Sequence, residues 1–426
     1  MTAARKTDPG RPFEVPLKID DTHRRYTVGG EPIVVHCHHF NTYLQQSLCD
    51  ARDFVDMRDE LIGGGASVAH AQLTKVFAEQ GIDDIRARLG AAEDIYRWAG
   101  FGTLELLALS AEGGEIRTKN SHYAHAWKTK FGPASENVCF FDRGWISGCL
   151  SAVFDRPLGT FSVDQNRCLS REGEEECVFV ASRSESRQFT AQSPGVGPLT
   201  THSPIEPPPS KIGYDGILEA VQSLPLTGDD RGEIFAFGVY LTRHYANYYN
   251  RLSFEFVAEL TRCFGSAGTD VAEPLLIESG HVCAFNTFGG IMKSSEWEAL
   301  IQPNLTSKED WIQGMVAVVN ALGWGRWQVQ DVSPEQATFV IHDDYEEIGY
   351  LAAYGTAERP ACYLARGAAI GMMNLVYYGD IETGPDLTPE FYDSLFKSDS
   401  GYDVTVEQAQ SMGADHTVLR VTRKKS

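Results

Sequence analysis

Three cysteines offer the first chemistry in this sequence. Cys168 and Cys177 are separated by eight residues in QNRCLSREGEEECVFV, on either side of a glycine turn, and Cys139 lies upstream. Thiolates so placed are the raw material of a tetrahedral zinc site. The fourth ligand stays open among Cys149, Asp164, Gln165 and a glutamate of the turn, and small buried core thiols are the competing reading. A second group is His36-Cys37-His38-His39, which follows an apolar run. As a strand it would turn His36 and His38 to one face. Neutral imidazoles there could bind a transition metal or act as a general base near neutral pH. The competing reading is a set of hydrogen-bonded core histidines before a helix capped by Asn41. His122 and His125, three apart on a short helix, face the same way. Arg143 could grip a carboxylate or pair with a neighbouring acid, and the ion pair is favoured.

The elements that must position these groups recur along the chain. A shift of 223 residues carries Gly100-Phe-Gly102 onto Gly323-Trp-Gly325, Cys139 onto Cys362 and Arg143-Gly144 onto Arg366-Gly367. Ten of the 49 positions from Gly100 to Gly148 are identical under that shift, half of them glycines. Upstream, a shift of 245 sets His36 to Thr42 beside His281 to Thr287. The positions matching Cys168 and Cys177 are Ala409 and Thr417, so a metal site would belong to the first copy only. A Ser/Pro-rich stretch over 183–211 separates the copies. The chain thus divides into an N-terminal extension over 1–25, a first domain over 26–182, the linker, and a second, diverged copy over 212–426.

Within each copy the patterns alternate. Strands are predicted at Ile33 to Val35, Tyr96 to Leu109, Val178 to Ala181, Leu275 to Ile277 and Val418 to Val421. Helices are predicted over Ser67 to Gln80, His122 to Lys130, Lys308 to Leu322 and Tyr345 to Ala353. The aromatic run Tyr240, His244, Tyr245, Tyr248, Tyr249 is helix-like, and Gly63-Gly64-Gly65 is a flexible break before a helix. The mixture predicts an α+β fold.

The stretch NSHYAHAWKTKFG, then NVCFFDRGWISGCLSAVF, then VDQNRCLSREGEEECVFV resembles the 4-vinyl-reductase domain. The matched features are Cys139-Phe140, Gly144-Trp145-Ile146-Ser147-Gly148, Cys168, Gly173 and Cys177-Val178-Phe179. Gln165 stands where that family usually has glutamate. The block MRDELIGGGASVAHAQLTKVFAEQG is similar to the helical region before that domain in aromatic-responsive activators. The resemblance implies an α+β small-molecule-binding domain, an internal pocket for an apolar or aromatic molecule, and a tendency to dimerise. It implies zinc held by Cys139, Cys168 and Cys177, and a pocket using His36, His38, His122, Trp127, Arg143 and Trp145. The alternative is a metal-dependent enzyme of small-molecule metabolism built on His36, His38 and His39. A third class, a structural subunit of a larger assembly, follows from the fold to which that family is related.

Composition bounds these readings. The chain has 426 residues, 37 Lys+Arg against 58 Asp+Glu, and a net charge of −21. That balance argues against a nucleic-acid partner, which needs a basic stripe. No apolar run reaches membrane-spanning length, so no membrane partner is expected. Nine cysteines without a signal-peptide pattern predict a reducing, cytoplasmic setting.

Overall fold

The computed structural model describes residues 13–184, 186–199, 212–397 and 400–425. Its first half runs β1 (Leu17–Asp20), β2 (Arg25–Val28), β3 (Glu31–Cys37), α1 (His38–Asp50), α2 (Arg58–Gln80), α3 (Ile85–Trp98), β4 (Gly113–Thr118), α4 (His122–Phe131), α5 (Phe140–Val153), β5 (Phe161–Arg167) and β6 (Cys177–Arg183). The second half opens with α6 (Tyr214–Gln222), β7 (Ile234–Ala236), β8 (Val239–Tyr245), α7 (Ala246–Phe264) and α8 (Ser266–Cys283). It continues through the short α9 (Gly289–Met292) and α10 (Ser295–Leu300) to α11 (Lys308–Ala321), β9 (Arg326–Gln330), β10 (Gln336–His342), α12 (Tyr345–Tyr354) and α13 (Tyr363–Met373). α14 (Pro389–Phe396), β11 (Tyr402–Gln408) and β12 (Thr417–Arg423) close it.

Three antiparallel sheets result, in the orders β1-β2-β3-β8-β7, β4-β6-β5 and β11-β12-β10-β9. With helices packed between them, the fold is α+β. No helix among the described residues is long and apolar enough to cross a membrane.

Parts of the two halves share an element order. A shift of 223 lays α4 on α12 and β4 on the first six residues of β10. Both helices end at a glycine of φ 78°, Gly132 and Gly355, the left-handed region where a Cβ is costly. A shift of 208 lays β3 on β8, and the turn Gly29-Gly30 (φ 56° and 76°) on Phe237-Gly238 (φ 54° and 72°). β3 and β8 pair with each other, Val35 opposite Arg243, so one five-stranded sheet spans both halves.

Several sequence expectations change here. Gly63-Gly64-Gly65 lies inside α2, not before it: Gly65 lets α2 approach the α5 backbone, while Gly63 and Gly64 make room for the Arg251 and Tyr248 side chains of α7. Leu275 to Ile277 belongs to α8 and not to a strand. Tyr96 ends α3, and the segment after Gly102 forms only a bridge to Ser121. The aromatic run is β8 through Tyr245, and helix only from Ala246. His281 is inside α8 with its ring 5.0 Å from Phe396, whereas His36 is the penultimate residue of β3. The strand residue corresponding to His36 is therefore His244, at the same place in β8. Of the expected linker, Arg183 is still the last residue of β6, and 185 and 200–211 lie outside the described residues.

Candidate functional site

Cys139, Cys168 and Cys177 converge from three places. Cys139 precedes α5, Cys168 follows β5 and Cys177 opens β6. The Cys139 Sγ is 3.5 Å from Cys168 and 3.8 Å from Cys177, and all three sulfurs are buried. They are the one group of three metal-ligating side chains found among the described residues. Hydrogen bonds from Cys139 and Cys177 push the Cys168 thiol down, so this site favours a thiolate there. Burial, and then those neighbours, push Cys139 up. A single proton-poor thiol among three is what a soft cation would replace with full ionisation. Gln165, three residues before Cys168, has a buried Oε1 with no hydrogen-bond partner. Asp164 points outward toward Arg143 at 3.7 Å, and Cys149 is buried farther along α5.

The corresponding place in the second half is closed differently. Glu347 is fully buried and its carboxylate accepts a bond from the Ser411 amide. Thr417, in the position of Cys177, accepts the Gln410 amide at 3.0 Å. Backbone amides thus supply the hydrogen bonds to one Glu347 oxygen and to the Thr417 hydroxyl.

Beside the cysteines opens a cleft of about 360 Å³. One wall is α1 and α4, bearing His38, His39, His122 and His125; the other is the β7–β8 hairpin of the second half, with Glu233, Phe235 and Tyr240. Ser121, the N-cap of α4, belongs to both sites. Its Oγ lies 3.5 Å from the Cys139 Sγ and donates to Asp142 Oδ2 at 2.7 Å. Tyr96 donates to the other oxygen of Asp142 at 2.8 Å.

Two of the cleft's imidazoles, those of His38 and His122, are held neutral by burial. Burial lowers His38 to about 4 and His122 to about 3. His38 Nδ1 donates to the Tyr240 carbonyl (3.2 Å), leaving its Nε2 lone pair for an incoming donor. His122 Nε2 accepts from Asn41 Nδ2 at 3.0 Å, and the same amide reaches Thr242 of β8 at 3.0 Å. Phe235 and Tyr240 meet edge to face with centroids 5.1 Å apart, and both are exposed. The arrangement presents an aromatic wall, one open imidazole lone pair at His38 Nε2 and no unbalanced charge, since Glu233 is paired with Arg231 at 2.9 Å.

The other sequence-derived candidates lie elsewhere. His36 is buried between the rings of Phe40 and Trp324, each 4.5 Å away, with Nε2 3.2 Å from the Tyr345 hydroxyl. His244 makes the corresponding contact to Tyr123 at 2.9 Å. Each histidine thus meets a tyrosine of the opposite half. Trp127 meets Phe131 edge to face at 5.1 Å. Arg143 donates to the Val163 carbonyl at 2.9 Å, and Trp145 is buried with its indole donating to Tyr245 at 2.9 Å. Of the residues proposed for the pocket, the structure gathers His38 and His122, with His39 beside them. Sequence reasoning missed the hairpin wall, because that wall comes from the other half of the chain.

No family model matches the chain, and no curated protein matches it. Among solved structures, the phenol-responsive sensory domain of the transcription activator PoxR, crystallised with phenol, is similar over 50% of this chain and 91% of its own, with 15% identity and a TM-score of 0.36.

Proposed function

We propose that the chain binds a small, uncharged aromatic molecule carrying a hydroxyl, in the cleft between α4 and the β7–β8 hairpin. The observation that carries this reading is the pairing of a neutral imidazole acceptor, His38 Nε2, with an aromatic wall in one open cleft. A phenol-type hydroxyl would donate to His38 Nε2 while its ring lies against Tyr240 and Phe235.

In the same reading zinc is held by Cys139, Cys168 and Cys177, with the orphaned Gln165 Oε1 able to complete four ligands. Bound there, the ion would tie the β5–β6 turn to the start of α5 and fix Ser121 at the cleft's edge. The chain is read as two diverged tandem copies of one domain, paired through β3 and β8 as two protomers would be. The 4-vinyl-reductase resemblance supports this reading of the copies, as do the two shifts that superpose their elements. A histidine-centred metal enzyme finds less support, since no group of three ligands containing a histidine occurs among the described residues.

Isothermal titration with phenol tests the cleft. One saturable site per chain is expected, and His38→Ala should weaken it about tenfold, the loss of one good hydrogen bond. Equal affinity in wild type and variant, or no saturable heat, would remove the basis of this reading.

A further inference from the structure

The repeated element order places a second cleft in the molecule, and it is not empty. Under the shifts of 208 and 223, His38, His39, His122 and Glu233 correspond to Ala246, Asn247, Tyr345 and Arg25. Those four residues line a second, almost filled depression, with only about 10 Å³ left. What fills it is the chain's own linker, at Gly195-Val196-Gly197.

The seat is specific. Ser193 Oγ donates to Glu31 Oε2 at 2.8 Å, and Asn247 Nδ2 donates to the Gly195 carbonyl at 2.9 Å and to Glu31 at 3.1 Å. Glu31 is buried at the start of β3, so its carboxylate depends on these donors. Gly197 lies so close to α12 that a Cβ there would stand 2.2 Å from the Ile348 carbonyl. Gly195 has φ 72°, which a side chain would strain. Residues 193, 195 and 197 turn inward while 194, 196 and 198 face solvent. The segment therefore meets its groove as a peptide ligand does, by backbone bonds and alternate inward positions.

We propose that this second cleft is a peptide-binding groove, with Ser193–Gly197 as its resident ligand. It takes an extended segment that carries a hydroxyl residue and glycines two and four positions later. The same sequence supplied in trans exchanges with the resident one. A divergent pair of clefts thus has two occupants, a small molecule in one and a strap of chain in the other.

A fluorescein-labelled peptide of residues 190–199, TAQSPGVGPL, provides the probe. In fluorescence anisotropy the Gly197→Phe chain, its own strap displaced, should bind the peptide at least tenfold more tightly than the wild-type chain. Adding Asn247→Ala should weaken that binding about fivefold or more, and a peptide carrying Gly197→Phe should not compete. Where Gly197→Phe does not fold, Ser193→Ala, which removes only a hydroxyl, should still raise peptide affinity about threefold. Equal peptide binding by wild-type and a folded strap variant, or indifference to Asn247→Ala, would overturn the proposal.

Discussion

Cys168→Ala is expected to empty the chain of zinc, taking metal analysis from about one ion per chain to none. The variant leaves Cys139 and Cys177 buried beside a cavity, and the β5–β6 turn loses its tie to α5. A structural zinc contributes directly to folding free energy, so stability should fall by roughly 3 kcal/mol or more. Denaturant melts of the metal-loaded proteins read that loss. Cys149→Ala supplies the control: the same residue type, equally buried in α5, should leave the metal count unchanged. Metal retained by Cys168→Ala, or absent from wild-type protein purified with zinc, would contradict the assignment.

The second large effect is steric. α2 and α5 touch through glycines: a Cβ on Gly144 would stand 1.9 Å from the Ile62 carbonyl, and one on Gly148 2.1 Å from that of Ala66. Gly148→Val must force the helices apart, because the obstacle is backbone and cannot swing aside. Overpacking of this kind should cost about 4 kcal/mol or more. Gly90, in α3 with nothing within 4 Å of its Cβ position, gives the opposite sign. Gly90→Ala should stabilise the chain by about 0.5–1 kcal/mol through helix propensity alone. Urea midpoints of the two variants, measured side by side, check both statements.

The glycines also show how far the sequence was readable. Gly100, Gly102, Gly132, Gly144 and Gly148 recur at a constant shift because each marks a turn or close contact that both halves need. The same logic failed at Gly63-Gly64-Gly65. Three successive glycines look like a flexible break, and only their packing partners, α5 at Gly65 and α7 side chains at Gly63 and Gly64, explain them. The match of His36–Thr42 to His281–Thr287 was a likeness of letters between a strand end and a helix. The true counterparts, His36 and His244, share no flanking sequence, only their place in paired strands. The turn at Phe237-Gly238 was equally hidden, since phenylalanine replaces glycine at a positive φ.

Of the site, the cysteine group was legible because its three residues lie within 39 positions of one another in the first half of the chain. The cleft was not, because one wall is α4 of the first half and the other a hairpin more than a hundred residues later. Residues such as Asn41, which holds His122 and Thr242 together across the halves, carry no signal in sequence because their partners lie far along the chain.

The central claim is that the cleft histidines, and not the buried core histidines, receive the ligand. NMR of protein with ¹⁵N-labelled histidine, titrated with phenol, addresses it most directly. The account predicts saturable shifts of the His38 and His122 ring nitrogens, with those of His36 and His244 unmoved. Unmoved cleft histidines at saturating phenol, or shifts confined to His36 and His244, would contradict it.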